Sequence, residues 1–540
     1  MRQLFTGLMT AMALVTSPLV ASAQTPSTQT TATLDTTAEG PVISRHLHGQ
    51  FVEHLGRGVY EGIWVGEESA IPNVRGIRSD VVGALKHIKV PLIRWPGGCF
   101  ADDYHWRDGI GPREQRKGTI NSSWSRQPES NHFGTHEFFD LVEQVGAEAY
   151  ISLNMGSGSV RDSQAWLQYM TAPASTGPGA ERAKNGRTEP WSVPFVGVGN
   201  ETWGCGGNMT PEYYSDLLRH YSAYLKNASG PTRPYLIAVG PDTDDYNWTK
   251  VVMERAATWR EQSEGGLLYT VDRPLFNGIA LHFYTLPTNN WGTKGAQLNF
   301  PEDQWISTMQ RALLTEELVV KNLEVMDKAD PKKRVDLIVD EWGTWYDSDP
   351  NIPAHLNTGL YQQNSLRDAL VAAVSLNIFQ NHADRVKVAN IAQMVNVLQS
   401  MILTDGPKMV LTPTYHVFDL YKVHQDATLI PLEFTAPTYS HNGISVPALH
   451  ATASRDKSGK VHISVVNMDA HKSHSLTLTL NNHKGKTVTG RLLTAPEIDS
   501  HNSFETPDVV RPVPFTGARL TNQQLTLTAP AKSVITLELP

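Results

Sequence analysis

Two cysteines, Cys99 and Cys205, are all that this 540-residue chain contains, so no disulfide framework carries its fold. Two cysteines with no histidine cluster beside them do not make a zinc site either. Both follow apolar stretches. One bond between them would fit an oxidising compartment if both lay on one face of a barrel, although the narrow Cβ geometry of a disulfide weighs against it. Neither GxGxxG nor GxxxxGK[ST] opens any helical pattern, which counts against a doubly wound, nucleotide-binding sheet. There is no long basic run, and a net charge of −8 is mild for this length, so no nucleic-acid partner is expected. Beyond Met1–Ala23 no stretch approaches the ~20 apolar residues that span a bilayer, so no membrane partner is expected.

What is present describes a globular protein. Hydrophobic residues make up 40% and charged residues 19%, and the length allows a large domain plus a smaller one. Thirteen tryptophans and 17 tyrosines exceed what a sugar cleft needs, so most of them belong to the core. Met1–Ala23 reads as a secretory signal: Arg2 at its start, an apolar run Leu4 to Val20, and Ala21-Ser22-Ala23 as the cleavage site. The expectation is an exported protein, periplasmic or extracellular.

Residues 24–45 read as a linker with a strand near Thr31 to Asp35. From His46 onward, strand patterns near residues 48, 92, 151, 196, 237, 280, 337 and 389 alternate with helical ones. Helices are expected at Ser79–His87, Thr135–Val145, Pro211–Asn227, Pro301–Ala329 and Gln363–His382, with Tyr246–Gln262 mostly helical. Ala101–Asn131 and Ala172–Trp191 read as long loops, and loops of that length are usually functional. Eight such repeats are the signature of a (β/α)8 TIM barrel, assigned to residues 46–406. After Pro407 strand-like runs recur without long helices, as in Leu476-Thr477-Leu478-Thr479-Leu480. Residues 407–540 therefore form a smaller all-β sandwich, jelly-roll-like, which the strand near Thr31 joins.

Two stretches match. Pro194 to Val198 leads into Asn200-Glu201 and Trp203-Gly204, and Val335 to Val339 leads into Asp340-Glu341 and Trp342-Gly343. Each is an apolar run ending in an acidic group and Trp-Gly, the look of a buried parallel strand at its carboxyl end, where barrels carry their chemistry. Two glutamates so placed suggest the carboxyl pair of a glycosidase, one protonating the leaving oxygen and the other acting as nucleophile or base. The plainer reading is that each acid caps a helix or pairs with an arginine; the matched exits weigh against it. His46, His48 and His54 fall on alternate positions, but no carboxylate run completes a metal site with them.

These stretches resemble the α-L-arabinofuranosidases of glycoside hydrolase family 51, retaining (β/α)8 enzymes. The resemblance is carried by His48–Gly56, Gly62–Gly66, Arg94–Phe100, Asp108–Arg113, Gly197–Met209, Leu281–Thr285, Asp340–Tyr346 and Ala389–Gln393, in order and spacing. It implies Glu201 as acid/base and Glu341 as nucleophile, with carboxyls about 5 Å apart. It implies Asn200 on the sugar 2-hydroxyl and Glu53 on sugar hydroxyls, with a salt bridge to Arg57 or Arg94 as the alternative for Glu53. Tyr284 would donate to Glu341 and keep it ionised. His282 points the same way as Tyr284 and would meet either glutamate, or be a satisfied core histidine. Trp345 and Gln393 resemble sugar-pocket residues. Relatives carry Asn or Cys at the position of Cys99, and a thiol is a weaker partner for a sugar than an amide. No cofactor and no metal are implied. The partners implied are arabinan, arabinoxylan and their oligosaccharides, attacked at terminal non-reducing arabinofuranosyl residues; self-association into a homo-oligomer stays open. An endoglucanase or β-xylosidase on the same scaffold, and a carbohydrate-binding protein without activity, are the alternatives.

Overall fold

The structure is a computed structural model that describes residues 30–124, 126–225, 233–256, 259–262, 268–271 and 274–540. Eight parallel strands close into a barrel in chain order: Gly49–Phe51, Leu92–Trp95, Glu148–Leu153, Phe195–Val198, Tyr235–Ala238, Gly278–Thr285, Asp336–Thr344 and Val386–Ala392. The last strand pairs with the first, Asn390 opposite Gly49. Helices cover the outside, among them Ser79–His87, Thr135–Val145, Glu302–Ala329 and Leu366–Asn381.

The period of two along each strand sorts the barrel interior into layers. Leu92, Tyr150, Phe195, Ile237, Ala280, Ile338 and Val388 form an apolar layer. Two residues further along their strands stand Arg94, Ser152, Gly197, Asp340 and Asn390. Apart from Gly197 these residues are polar, and they bond largely to one another and to Tyr150. Tyr150 Oη and Asn390 Nδ2 both donate to the Asp340 carboxylate, at 2.6 and 2.7 Å. Arg94 Nε donates to Ser152 Oγ at 3.2 Å. Burying these groups is tolerable because nearly every one has a partner. The layer makes a hydrogen-bonded floor for whatever sits above it.

Five segments differ from their sequence patterns. Gly177–Lys184 is a helix inside the stretch read as loop. Its Gly-Pro-Gly start hides a capped turn, because the Thr176 side chain accepts from Gly179 N and the buried Arg182 donates to the carbonyls of Tyr169, Met170 and Ala172. The helix expected through Gln262 ends by Ala256, and Trp259–Gln262 pairs with Leu268–Val271 as a hairpin. A second hairpin, Thr119–Asn121 with Gln127–Glu129, organises the loop after the second strand. Pro413–Tyr421 is a helix, capped by Thr412 and buried along its whole length, so it shows no amphipathic period to read. It packs beside Leu366–Asn381, carrying the barrel past the boundary expected at residue 407. The seventh strand also runs on to Thr344, through the acidic pair rather than ending at it, with register shifts against both neighbours.

The β domain is a sandwich of two sheets. Four strands, Thr30–Asp35, His474–Asn481, Gln524–Ala529 and Ala518–Thr521, face six others that include Leu449–Arg455, Val461–Asn467 and Ser533–Leu539. Leu34, Leu476, Leu478, Ile463, Leu527 and Leu537 fill the space between them. Thr30–Asp35 lies parallel to His474–Asn481, with Leu34 opposite Leu480. The barrel's helical layer runs into this domain through one continuous core containing Val446, Val466 and Val534, and Trp305 Nε1 donates to Met468 O. Among the described residues no helix is long and apolar enough to cross a membrane.

Candidate active site

The carboxyl ends of the strands converge on one opening, and the first, second, fourth, sixth, seventh and eighth strands or their exits deliver polar groups to it. Glu341 comes from the middle of the long seventh strand, paired in register with His282 of the sixth. Arg94 rises from the floor and donates from Nη1 to Glu341 Oε1 at 2.7 Å and from Nη2 to Asn200 Oδ1 at 2.6 Å. Its guanidinium also lies 4.5 Å from the centre of the Phe51 ring. Tyr284 Oη donates to Glu341 Oε2 at 2.7 Å. Both carboxylate oxygens of Glu341 are therefore held, and its side chain is 7% exposed.

Glu201 leaves the fourth strand with φ +41°, a left-handed backbone that costs a non-glycine residue energy. The turn is tied by Gly204 N and Gly206 N, which both donate to Glu201 O. His282 Nδ1 lies 2.9 Å from Glu201 Oε1 and 3.7 Å from Glu341 Oε1. An oxygen of each glutamate and that ring nitrogen all lie within 4.8 Å of one another. Asn200 accepts from Arg94, so its Nδ2 faces outward, with Cys205 Sγ at 3.9 Å as its protein neighbour.

Glu53 sits beyond the first strand. Its Oε1 accepts from Gly98 N and Phe100 N at 3.0 and 2.9 Å, and Gln393 Nε2 approaches Oε2 at 3.4 Å. This is a backbone-held carboxylate, and neither Arg57 nor Arg94 bonds to it: Arg57 goes to Glu61 and Thr404 O. Gly98 is packed so tightly that a Cβ would stand 2.9 Å from Glu341 Oε1. Trp345 meets Tyr284 edge to face at 5.1 Å between ring centres, and Trp291 meets Trp345 the same way at 5.3 Å.

Cys99 and Cys205 form a disulfide at the rim, joining the exits of the second and fourth strands. The bond corrects the picture of Cys99 as a free thiol facing a sugar, because its sulfur has no hydrogen to donate. Cys205 Sγ lies 3.5 Å from Glu201 Oε2. The three early histidines go separate ways: His46 to Glu148, His54 to Glu129, and His48 into a buried position against Phe418.

The electrostatics separate the two glutamates. Burial raises Glu201 above the usual carboxylate range and the charge of Glu341 adds to it, while the His282 bond opposes both. Burial would raise Glu341 too, but His282, Arg94 and Tyr284 outweigh it and hold Glu341 below that range. His282 is raised: its burial disfavours the charge, and the two glutamates more than compensate. Glu53 is pushed up to about 7, first by burial and then by Glu341. At neutral pH the geometry thus offers one ionised and one more readily protonated carboxyl across a small gap. Among the described residues, Glu201, His282 and Glu341 could gather a divalent ion by distance. The Arg94 guanidinium already occupies the same Glu341 oxygen, which opposes a second cation.

All nine sequence candidates reach this mouth or its rim: Glu53, Cys99, Asn200, Glu201, His282, Tyr284, Glu341, Trp345 and Gln393. Sequence reasoning missed the role of Arg94 under both Glu341 and Asn200; a charged residue in the apolar run Leu92-Ile93-Arg94-Trp95 was the available signal. It also missed Trp291, 56% exposed in a polar loop with no pattern around it, and Asp102 beneath the Glu201 turn.

Comparison with known proteins agrees with this geometry. Residues 84–263 match the model of the α-L-arabinofuranosidase 1 domain, and residues 340–533 that of the α-L-arabinofuranosidase C-terminal domain. An intracellular exo-α-L-arabinofuranosidase of Bacteroides ovatus is 46% identical over 98% of this chain and 100% of its own. The crystal structure of a family 51 arabinofuranosidase from Xanthomonas axonopodis pv. citri superposes with a TM-score of 0.89 at 47% identity, over 95% of this chain and 100% of that one. An arabinose complex of the Thermotoga maritima α-L-arabinofuranosidase gives 0.78 at 30%, over 94% and 99%. The Bacteroides relative overturns the expectation of export. It is described as intracellular, and Met1–Ala23 lies outside the described residues. An apolar run behind a single arginine was too little to assign a compartment. The endoglucanase, xylosidase and binding-protein alternatives lose their support with these matches. The chain belongs to glycoside hydrolase family 51, the α-L-arabinofuranosidases, and is an enzyme that hydrolytically releases arabinofuranosyl residues.

Proposed function

We propose that the enzyme works by double displacement with net retention, Glu341 acting as nucleophile and Glu201 as acid/base. Glu341 attacks the anomeric carbon of a terminal non-reducing α-L-arabinofuranosyl residue while Glu201 protonates the departing glycosidic oxygen. The arabinosyl ester on Glu341 is then hydrolysed by a water that Glu201 deprotonates. The observation that carries this reading is the approach of the two glutamates, with an oxygen of each within 4.8 Å. Inverting enzymes keep their carboxyls roughly 6.5–9.5 Å apart to admit a water between the general base and the sugar. The opposite displacement of the two pKa values supports the same division of roles.

The remaining groups serve the sugar. Asn200 Nδ2, whose protein neighbour is Cys205 Sγ at 3.9 Å, has a second hydrogen to donate to the 2-hydroxyl, a bond that strengthens as the ring gains positive charge. Glu53, held by two backbone N–H groups, and Gln393 receive ring hydroxyls, while Trp345 walls the pocket. Arabinan, arabinoxylan and oligosaccharides cut from them are the substrates. The test is NMR of the first product released from an aryl α-L-arabinofuranoside. The α anomer should appear before mutarotation; first appearance of the β anomer would reject retention.

A further inference from the structure

Asp102 lies outside the sugar pocket and touches none of the groups given roles above except through the backbone. It ends the single 3-10 turn Cys99–Asp102 that follows the second strand, and it is 4% exposed. Its Oδ1 accepts from Met155 N and Gly156 N at 2.7 and 3.0 Å, and its Oδ2 accepts from Asn200 N at 3.0 Å. Its main-chain oxygen accepts from Ser157 N and Oγ. One residue thus fastens the exits of the second, third and fourth strands together, immediately before Glu201. The returning loop closes over it: a Cβ on Gly206 would stand 2.6 Å from Asp102 Oδ2 and 1.9 Å from Asn200 O.

Three donors on two oxygens is the important count. Burial pushes Asp102 up to about 7 even against its three N–H donors, so a carboxylate here is costly, and apolar packing or a neutral side chain would have been a cheaper way to fill the space. Both oxygens must accept to serve both strand exits. An amide accepts on one oxygen only and presents an NH₂ group on the other side. The backbone held this way leads directly into a strained residue, since Glu201 has φ +41°. Without the Asn200 N–H bond, the backbone just before Glu201 loses its tie to the second strand's exit, while the turn after it keeps the bonds of Gly204 N and Gly206 N to Glu201 O and of Met209 N to Thr202 O.

We propose that Asp102 is a positioning residue that fixes the Glu201 carboxyl for proton transfer to the leaving group, acting through the Asn200 backbone N–H. This rests on the assignment of Glu201 as acid/base. The distinguishing property of an acid/base is that a good leaving group does not need it, whereas an unactivated sugar does. The experiment measures kcat/KM for Asp102→Asn, Gly206→Ala and Glu201→Ala on 2,4-dinitrophenyl α-L-arabinofuranoside and on an arabino-oligosaccharide. The readout is the ratio of the two. Only folded enzyme contributes to either rate, so partial unfolding cancels from it.

In Asp102→Asn the ratio should shift in favour of the dinitrophenyl substrate by about tenfold to a hundredfold, the size of effect expected from a misplaced catalytic group. Gly206→Ala, which presses on the same contact, should shift it in the same direction. Azide should raise turnover of the dinitrophenyl substrate by Asp102→Asn, by replacing the water that Glu201 no longer activates. An unchanged ratio in Asp102→Asn together with a shifted one in Glu201→Ala would overturn the proposal and leave the acid/base assignment standing. An unchanged ratio in Glu201→Ala would overturn both.

Discussion

Replacing Tyr284 by phenylalanine separates the two halves of the reaction. The substitution keeps the ring and its edge contact with Trp345, and removes only the O–H that donates to Glu341 Oε2 at 2.7 Å. That bond is strongest when Glu341 carries its full charge, in the free enzyme, and weakest when Glu341 is esterified to the sugar. As the ester is hydrolysed the carboxylate departs and its charge returns, so Tyr284 favours the second step. A hydrogen bond to a charged group contributes about 1.5–3 kcal/mol. If half the charge has returned at the transition state, about 0.7–1.5 kcal/mol of that barrier belongs to Tyr284, which is roughly 3- to 13-fold in rate. On a dinitrophenyl arabinofuranoside, whose first step is fast, kcat should fall by this factor. KM should fall more steeply than kcat because the ester accumulates, and kcat/KM should hold or rise on the pH plateau, because the free enzyme loses the whole bond and the first transition state only part of it. A burst of dinitrophenol in stopped flow should become larger and better separated. The acidic limb of the pH profile should move to higher pH, because Glu341 loses one of the groups holding it ionised. An unchanged kcat with an unmoved acidic limb, or a KM that rises, would refute this account of Tyr284.

Further outcomes follow from the same geometry. Glu341→Ala should lose turnover of every arabinofuranoside, checked with an aryl substrate and with an oligosaccharide. The kcat/KM profile of the intact enzyme should be bell-shaped, with Glu341 ionised above the acidic limb and Glu201 protonated below the basic one. In His282→Ala both limbs should move to higher pH, since His282 lowers the proton affinity of both glutamates. Ile338→Ala, at 0% exposure in the barrel's apolar layer, should cost about 2–5 kcal/mol in urea unfolding without altering the shape of the pH profile. Reducing the Cys99–Cys205 bond releases a loop of 106 residues, so the unfolding free energy should fall by about 4–5 kcal/mol if the chain-entropy account holds, read from denaturation with and without dithiothreitol.

The alternation of strand and helix patterns made the barrel readable because parallel strands, buried on both sides, are continuous apolar runs that interrupt helical periods. The convergence of Glu201 and Glu341 was readable for a related reason: a polar group at the end of such a run has one place to go. What escaped is equally physical. Pro413–Tyr421 is buried all round, so its sequence carries no face. Gly177–Lys184 is fixed by a cap and by Arg182 reaching back to an earlier helix, which no local window reveals. The seventh strand continues through Asp340 and Glu341 because register shifts absorb them. The support of Glu201 by Asp102 spans residues 98 apart and runs through a backbone N–H, which has no side-chain signature at all.

The strand Thr30–Asp35 has a consequence for how this protein is made. It sits in the same sheet as His474–Asn481, beside residues synthesised more than four hundred positions later. As the chain leaves the ribosome, the barrel can close while this early segment still has no mate, and Leu34 waits in water until the final domain emerges. Completion of the sandwich is therefore a late, long-range event that reunites both ends of the chain, slow by nature because so large a loop must close first. A fragment starting at Thr428, past the barrel's buried helix, would lack that edge strand, and it should be recovered as a less soluble product than the same fragment co-expressed with residues 30–35.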